Sequence, residues 1–116
     1  VIIRSENDLQ NEVARLLDTL NLLWCHCPNE GKRSPRAGAR LKRAGLKRGV
    51  PDVLIFQPLI AIELKYGKNR ITPEQKQWLT RLSGAGWKTA VCRSVPEVLE
   101  VLKSAGVISK TEKPTE

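Results

Sequence analysis

Two carboxylates and one amine, Asp52, Glu63 and Lys65, lie in or beside a pair of apolar runs, Val53-Leu54-Ile55-Phe56 and Leu59-Ile60-Ala61-Ile62-Glu63-Leu64-Lys65. Gln57-Pro58 separates the runs, and their β-branched and aromatic content predicts an antiparallel hairpin. A turn centred between Gln57 and Pro58 pairs residues whose numbers sum to 115, so Asp52 falls opposite Glu63. Directly opposed side chains share one face, with β-carbons about 5 Å apart. Lys65, two residues beyond Glu63, projects onto that face as well. Pro58 fits poorly in many two-residue turns, so a slipped register is the alternative. Like charges held together repel, and a hard divalent cation with oxygen ligands neutralises them. The peptide carbonyl of Leu64 offers a further oxygen. Such a cation polarises a phosphoryl oxygen and acidifies a water, while a nearby ammonium orients the attack or stabilises the charge that develops on phosphorus. The set therefore meets the requirements of phosphodiester hydrolysis. The plainer alternative makes Asp52 a turn residue after Pro51, and Glu63 with Lys65 an exposed strand pair.

The remaining elements must place that hairpin. Ser5 and Asp8 form a capping-box pattern, and Leu9, Val13, Leu16, Leu17 and Leu20 recur at helical spacing, which predicts a helix from Ser5 to Thr19. Leu22 to Cys27 reads as a short buried strand ending in the turn Pro28-Asn29-Glu30-Gly31. A Gly- and Pro-punctuated stretch follows, with one short helix expected around Ala39 to Leu46. Thr72-Pro73-Glu74-Gln75 supplies an N-cap, a proline at the first helical position and acidic character, opening a helix that ends near Ser83-Gly84. Trp87 to Cys92 is another strand. Ser94-Val95-Pro96-Glu97 opens a last helix that stops at Gly106. The order is αβββαβ with a C-terminal helix: a mixed α/β layer fold, read as one domain over 1–108 and a tail over 109–116.

Charge identifies a partner. Of the net +8, the whole excess lies between Lys32 and Arg48, where Lys32, Arg33, Arg36, Arg40, Lys42, Arg43, Lys47 and Arg48 meet no acidic residue. A localised basic stripe is the footprint of a polyanion, because each phosphate it neutralises releases counterions. The alternative is a solvated loop. No apolar run approaches the roughly 20 residues of a membrane helix, and the chain opens without the layout of a signal peptide, so a cytoplasmic protein without membrane or organic cofactor is expected.

Three cysteines, Cys25, Cys27 and Cys92, do not make a paired framework. In a strand His26 faces away from Cys25 and Cys27, and zinc usually takes four ligands, so all three are read as core cysteines. Trp24, Trp78 and Trp87 lie in apolar periodic segments and are read as core rather than as platforms for bases. His26 is the one histidine, which argues against a histidine-based mechanism.

Pro51-Asp52, ten intervening residues and Glu63-Leu64-Lys65 resemble the PD-(D/E)XK nuclease superfamily, as does the element order. Asn29-Glu30-Gly31-Lys32-Arg33, Arg48-Gly49-Val50-Pro51-Asp52, Ile62-Glu63-Leu64-Lys65 and Thr72-Pro73-Glu74-Gln75 narrow the resemblance to the VRR-NUC (virus-type replication-repair nuclease) family, over about residues 5 to 103. The resemblance implies a restriction-endonuclease-like core and Mg2+ or Mn2+ held by Glu12, Asp52, Glu63 and the Leu64 carbonyl. It also places Gln75 beside the catalytic Asp52, Glu63 and Lys65. On a helical wheel Glu12 flanks the apolar stripe of the first helix, and Gln75 shares the inward face of its own helix with Trp78, Leu79 and Leu82. Ordinary surface or first-turn roles are the alternatives for both.

Small stand-alone members of that family resemble homodimeric resolvases of four-way junctions, and a dimer supplies the two sites that symmetric cutting needs. The expectation is a homodimeric, structure-specific DNA endonuclease of bacterial or phage-infected cells, acting on branched DNA. Flap cleavage, as in larger relatives, is the enzymatic alternative. A non-catalytic DNA-binding module is the alternative from another class. So short a chain offers no obvious segment for reading base sequence.

Overall fold

The computed structural model describes residues 1–28, 35–45 and 47–109. Helix α1 spans Glu6–Thr19, and Ser5 caps it by accepting a hydrogen bond from the Asp8 amide. The carboxylate of Asp8 closes the box one residue upstream of the cap, accepting from the Arg4 amide at 2.9 Å. The last helix, α4, repeats the device. Ser94 accepts from the Glu97 amide and Glu97 from the Arg93 amide.

Four strands form one sheet in the order β1-β2-β3-β4: β1 (Trp24–His26), β2 (Val53–Phe56), β3 (Leu59–Leu64) and β4 (Lys88–Cys92). β1 and β3 run antiparallel to β2, and β4 runs parallel to β3. The parallel pair requires a crossover, which α3 (Pro73–Gly84) provides before α4 (Val95–Ser104) closes the fold. This is the mixed sheet flanked by helices that the sequence predicts. The hairpin register is also the expected one, with Val53 opposite Ile62 and Phe56 opposite Leu59 across a cis Gln57–Pro58 bond.

Alternation along β3 assigns its faces. Ile60, Ile62 and Leu64 join Leu9, Val13 and Leu17 of α1, Val53 and Ile55 of β2, Cys92 of β4, and Val98 and Leu102 of α4 in one buried cluster. Ala61, Glu63 and Lys65 alternate with them and belong to the opposite face. Helix α3, whose buried Gln75 and Leu79 lie outside that cluster, packs on β3 and β4 and covers this second face. A strand buried on both sides explains why Glu63 is only 2% exposed and Lys65 only 5%.

Four expectations are corrected. β1 is an edge strand, not a buried one: Cys25 and His26 are exposed, because the strand has a neighbour on one side and covers little of the core. Cys25 is therefore no core cysteine, and Cys27 is half-buried, whereas Cys92 is in the core. Trp24 packs half-buried against the core as expected, whereas Trp78 and Trp87, also half-buried, are not part of it. The short basic helix, α2, occupies Pro35–Arg43 instead of Ala39 to Leu46 and buries none of its residues. Residues 29–34, 46 and 110–116, with them Lys32, Arg33, the Asn29-Glu30-Gly31 turn and nearly all of the expected tail, lie outside the described residues. Among the described residues no helix is long and apolar enough to cross a membrane.

Burial pushes the Cys92 thiol up to about 12, with the Glu97 carboxylate adding to it. Burial, then the neighbouring Cys25 and Asp52, pushes Cys27 up to about 11. Both stay protonated at pH 8 and are poor nucleophiles. Iodoacetamide at pH 8, followed by intact mass, is expected to label exposed Cys25 first, Cys27 slowly and Cys92 only after unfolding. The sign of the linked stability follows: above about pH 9 the unfolded Cys92 thiol ionises while the folded one keeps its proton. Its contribution is present in full below that pH and is lost as pH rises toward 12.

Candidate active site and nucleic-acid face

Asp52 sits one residue before β2, and continuing the observed register places it opposite Glu63. It is fixed there by its own side chain. Oδ2 accepts the Leu64 amide at 2.8 Å, spanning the hairpin where the strand ladder ends. Its carbonyl accepts the Cys27 amide at 2.8 Å and lies 3.0 Å from His26 Nδ1, so β1 braces the same residue from the other side. Leu64 thus presents its peptide at the site while its side chain anchors in the core.

Glu63 lies on β3 and Lys65 directly follows its end, two residues on, with Lys65 Nζ 3.8 Å from Glu63 Oε2. The Lys65 amide donates to the Cys92 carbonyl at 3.0 Å, extending the β3–β4 ladder through the residue that carries the ammonium. Glu63 is held by a strand and Lys65 by that hydrogen bond at the strand's end, which limits how far either charge can move.

Gln75 is the third residue of α3 and is 2% exposed, on the face of the sheet that carries Glu63. Its Oε1 accepts the Thr72 amide at 2.8 Å, and its own amide donates to Thr72 Oγ1 at 3.1 Å, a reciprocal capping box. With the oxygen so engaged, any further contact of the carboxamide is made through its NH2 donors. The Thr72/Gln75 spacing carried that signal in the sequence. Gly49, at φ +92°, lets the chain before Asp52 lie against this helix end: a β-carbon there would stand 2.7 Å from the Glu74 carbonyl carbon and 2.9 Å from the Gln75 nitrogen. The Trp78 indole N–H donates to the Arg48 carbonyl at 3.0 Å and pins the same segment. The structure thereby gathers Asp52, Glu63, Lys65 and Gln75 around one face.

Glu12 is not gathered with them into a three-acid group. It is half-buried on α1 and pairs with Arg15 at 3.7 Å. Among the described residues no three His, Cys, Asp or Glu side chains are grouped to hold a metal ion. Cys25 and Cys27 do share a face, with their sulfurs 4.0 Å apart, but His26 turns to the Asp52 carbonyl.

The basic residues within the described range, Arg36, Arg40, Lys42, Arg43, Lys47 and Arg48, are all exposed. Arg36, Arg40 and Arg43 recur at four- and three-residue steps along α2, which makes one ridge. The Arg40→Ala/Arg43→Ala variant is expected to weaken DNA binding for all sequences alike. The slope of log K against log salt should fall by about 2, one unit for each phosphate that is no longer neutralised, as read by anisotropy across a salt series. Sequence reasoning missed the use of Trp78 and Arg81. They line a groove with Lys47 and Arg48, and Arg81 carried a signal only in standing three residues after Trp78.

No curated protein matches the chain. One solved structure, described as a "VRR_NUC domain protein", superposes with a TM-score of 0.69 at 24% identity, covering 86% of each chain, and so shares the fold. The sequence matches the VRR-NUC domain over residues 4–96, from the start of α1 into α4. Such a domain implies a nuclease of the PD-(D/E)XK kind with DNA as its substrate. By that match the chain belongs to the VRR-NUC domain family.

Proposed function

We propose that this protein is a divalent-metal-dependent, structure-specific DNA endonuclease that acts on branched DNA, as a homodimer at four-way junctions. The observation that carries the reading is the pair of carboxylates on one face, Asp52 locked to the Leu64 amide and Glu63 buried opposite it, with Lys65 alongside. These donors fit Mg2+ or Mn2+. Mg2+ is commonly held by one or two carboxylates and completes its shell with substrate phosphate and water, so two grouped acids suffice. Glu12 is the candidate for a third acid, and the Leu64 carbonyl for a further oxygen.

When bound, the ion would polarise the phosphoryl oxygen and acidify a water. The chain's own residues do the rest. Asp52 and Glu63 hold two negative charges at fixed positions. Lys65 keeps an ammonium beside them to balance charge on the phosphate as it builds. Gln75, at the positive end of α3, is placed to contact the phosphate or the attacking water. The α2 ridge, with Lys47 and Arg48, binds the backbone of the DNA arms without reading sequence.

Cleavage of labelled four-way junction, flap and linear duplex tests the reading. Paired nicks across the junction, and dimeric mass by light scattering at micromolar concentration, are expected. A strict monomer that cut linear duplex equally well would overturn the junction and dimer assignments.

A further inference from the structure

A groove of about 480 Å3 runs along α3, walled by Lys47 and Arg48 on one side and by Gln77, Trp78, Arg81 and Leu82 on the other. Its Trp78 wall stands on the same helix as Gln75 of the candidate site. Trp78 is one helical turn from Gln75, about 4.5 Å along the axis, and Arg48 precedes Gly49, where an added β-carbon would stand 2.9 Å from the Gln75 nitrogen. Three cations and, among the described residues, no carboxylate line it, so its occupant is anionic. It is also aromatic and apolar on the α3 side, which phosphate alone does not explain. The hydrogen bond from the Trp78 indole to the Arg48 carbonyl fixes the ring in place as a rigid wall.

Cations beside a fixed aromatic face make a site for a nucleotide whose base is free to stack. Bases inside a duplex are already stacked and cannot reach a protein ring. Resting on the reading of the chain as a DNA-cutting enzyme, we propose that this groove receives one unpaired nucleotide. The base lies against Trp78, and the flanking phosphates lie on Lys47, Arg48 and Arg81. The enzyme thereby selects DNA whose base stack is interrupted beside the cut, as it is at a branch point.

The test is binding in EDTA, where nothing is cut. Duplexes of equal length, fully paired or carrying one unpaired 2-aminopurine, are titrated with wild type, Trp78→Ala, Trp78→Phe and Arg81→Ala. Wild type is expected to prefer the unpaired substrate and to quench the 2-aminopurine. Trp78→Ala loses about tenfold in affinity for the unpaired substrate alone, within what one base–aromatic stack contributes. Trp78→Phe keeps a ring without the indole hydrogen bond and retains most of the preference, which separates stacking from a role in holding the loop. Arg81→Ala lowers affinity while quenching remains.

Equal binding of both duplexes by wild type, unquenched 2-aminopurine, or parallel weakening on both duplexes in Trp78→Ala would each overturn the proposal. Its failure is distinguishable from that of the nuclease reading. Cutting without quenching removes only the groove assignment, and quenching without cutting under any divalent ion removes only the nuclease.

Discussion

Glu63→Ala is expected to lower DNA cleavage by on the order of 10^3-fold or more, the scale of losing several kcal/mol of metal-borne stabilisation. DNA affinity in EDTA should hold or rise slightly, because a negative charge facing phosphate has gone. The effect is large because Glu63 is buried on a central strand beside the Asp52 end of the hairpin. Truncation also leaves the Lys65 ammonium buried without the carboxylate 3.8 Å away, so some loss of stability accompanies it. Glu63→Gln keeps the volume and separates the two effects. It should remain as inactive as the alanine variant while melting closer to wild type. Activity near the wild-type level in either variant would remove Glu63 from the site.

Gly49→Ala is expected to destabilise the fold by about 2–4 kcal/mol, from the positive φ and from a clash with backbone that cannot yield. The added methyl meets the Glu74 carbonyl carbon at 2.7 Å, the Glu74 β-carbon at 2.8 Å and the Gln75 nitrogen at 2.9 Å. Relief requires moving either the start of α3 or the segment leading to Asp52, so catalysis should fall beyond what the population of folded protein explains. Gly38→Ala is the control. Nothing lies within 4 Å of its added methyl and the position is helical, so that variant should gain up to about 1 kcal/mol. Thermal melts of both check the contrast, and a Gly49→Ala protein as stable as wild type would mean that the loop does not pack on α3.

The hairpin was legible because its two apolar runs favour a turn at Gln57-Pro58, the pairs from Val53–Ile62 to Phe56–Leu59 then follow, and continuing that register sets Asp52 opposite Glu63. Helix α1 was legible from Ser5, Asp8 and a clean leucine period. What periodicity cannot report is what stands opposite a face. Trp78 keeps the same spacing whether its side of α3 meets the core or a cleft, and it lines a cleft. Cys25 lies in an apolar run that reads alike for a central and an edge strand, and its strand is at the edge. Glu12 shows a further limit. A wheel places it beside the buried stripe, but how α1 crosses the sheet depends on packing against β3 and α4, which no local pattern encodes.

Metal-dependent hydrolysis at Asp52 and Glu63 is tested most directly by cleavage of a labelled four-way junction by the wild-type protein with Mg2+, with Mn2+ and with EDTA. Nicking with either ion, none in EDTA, and retained binding throughout are expected. Binding without cutting under every divalent ion, or equal cutting in EDTA, would contradict a metal-dependent nuclease built on these two carboxylates.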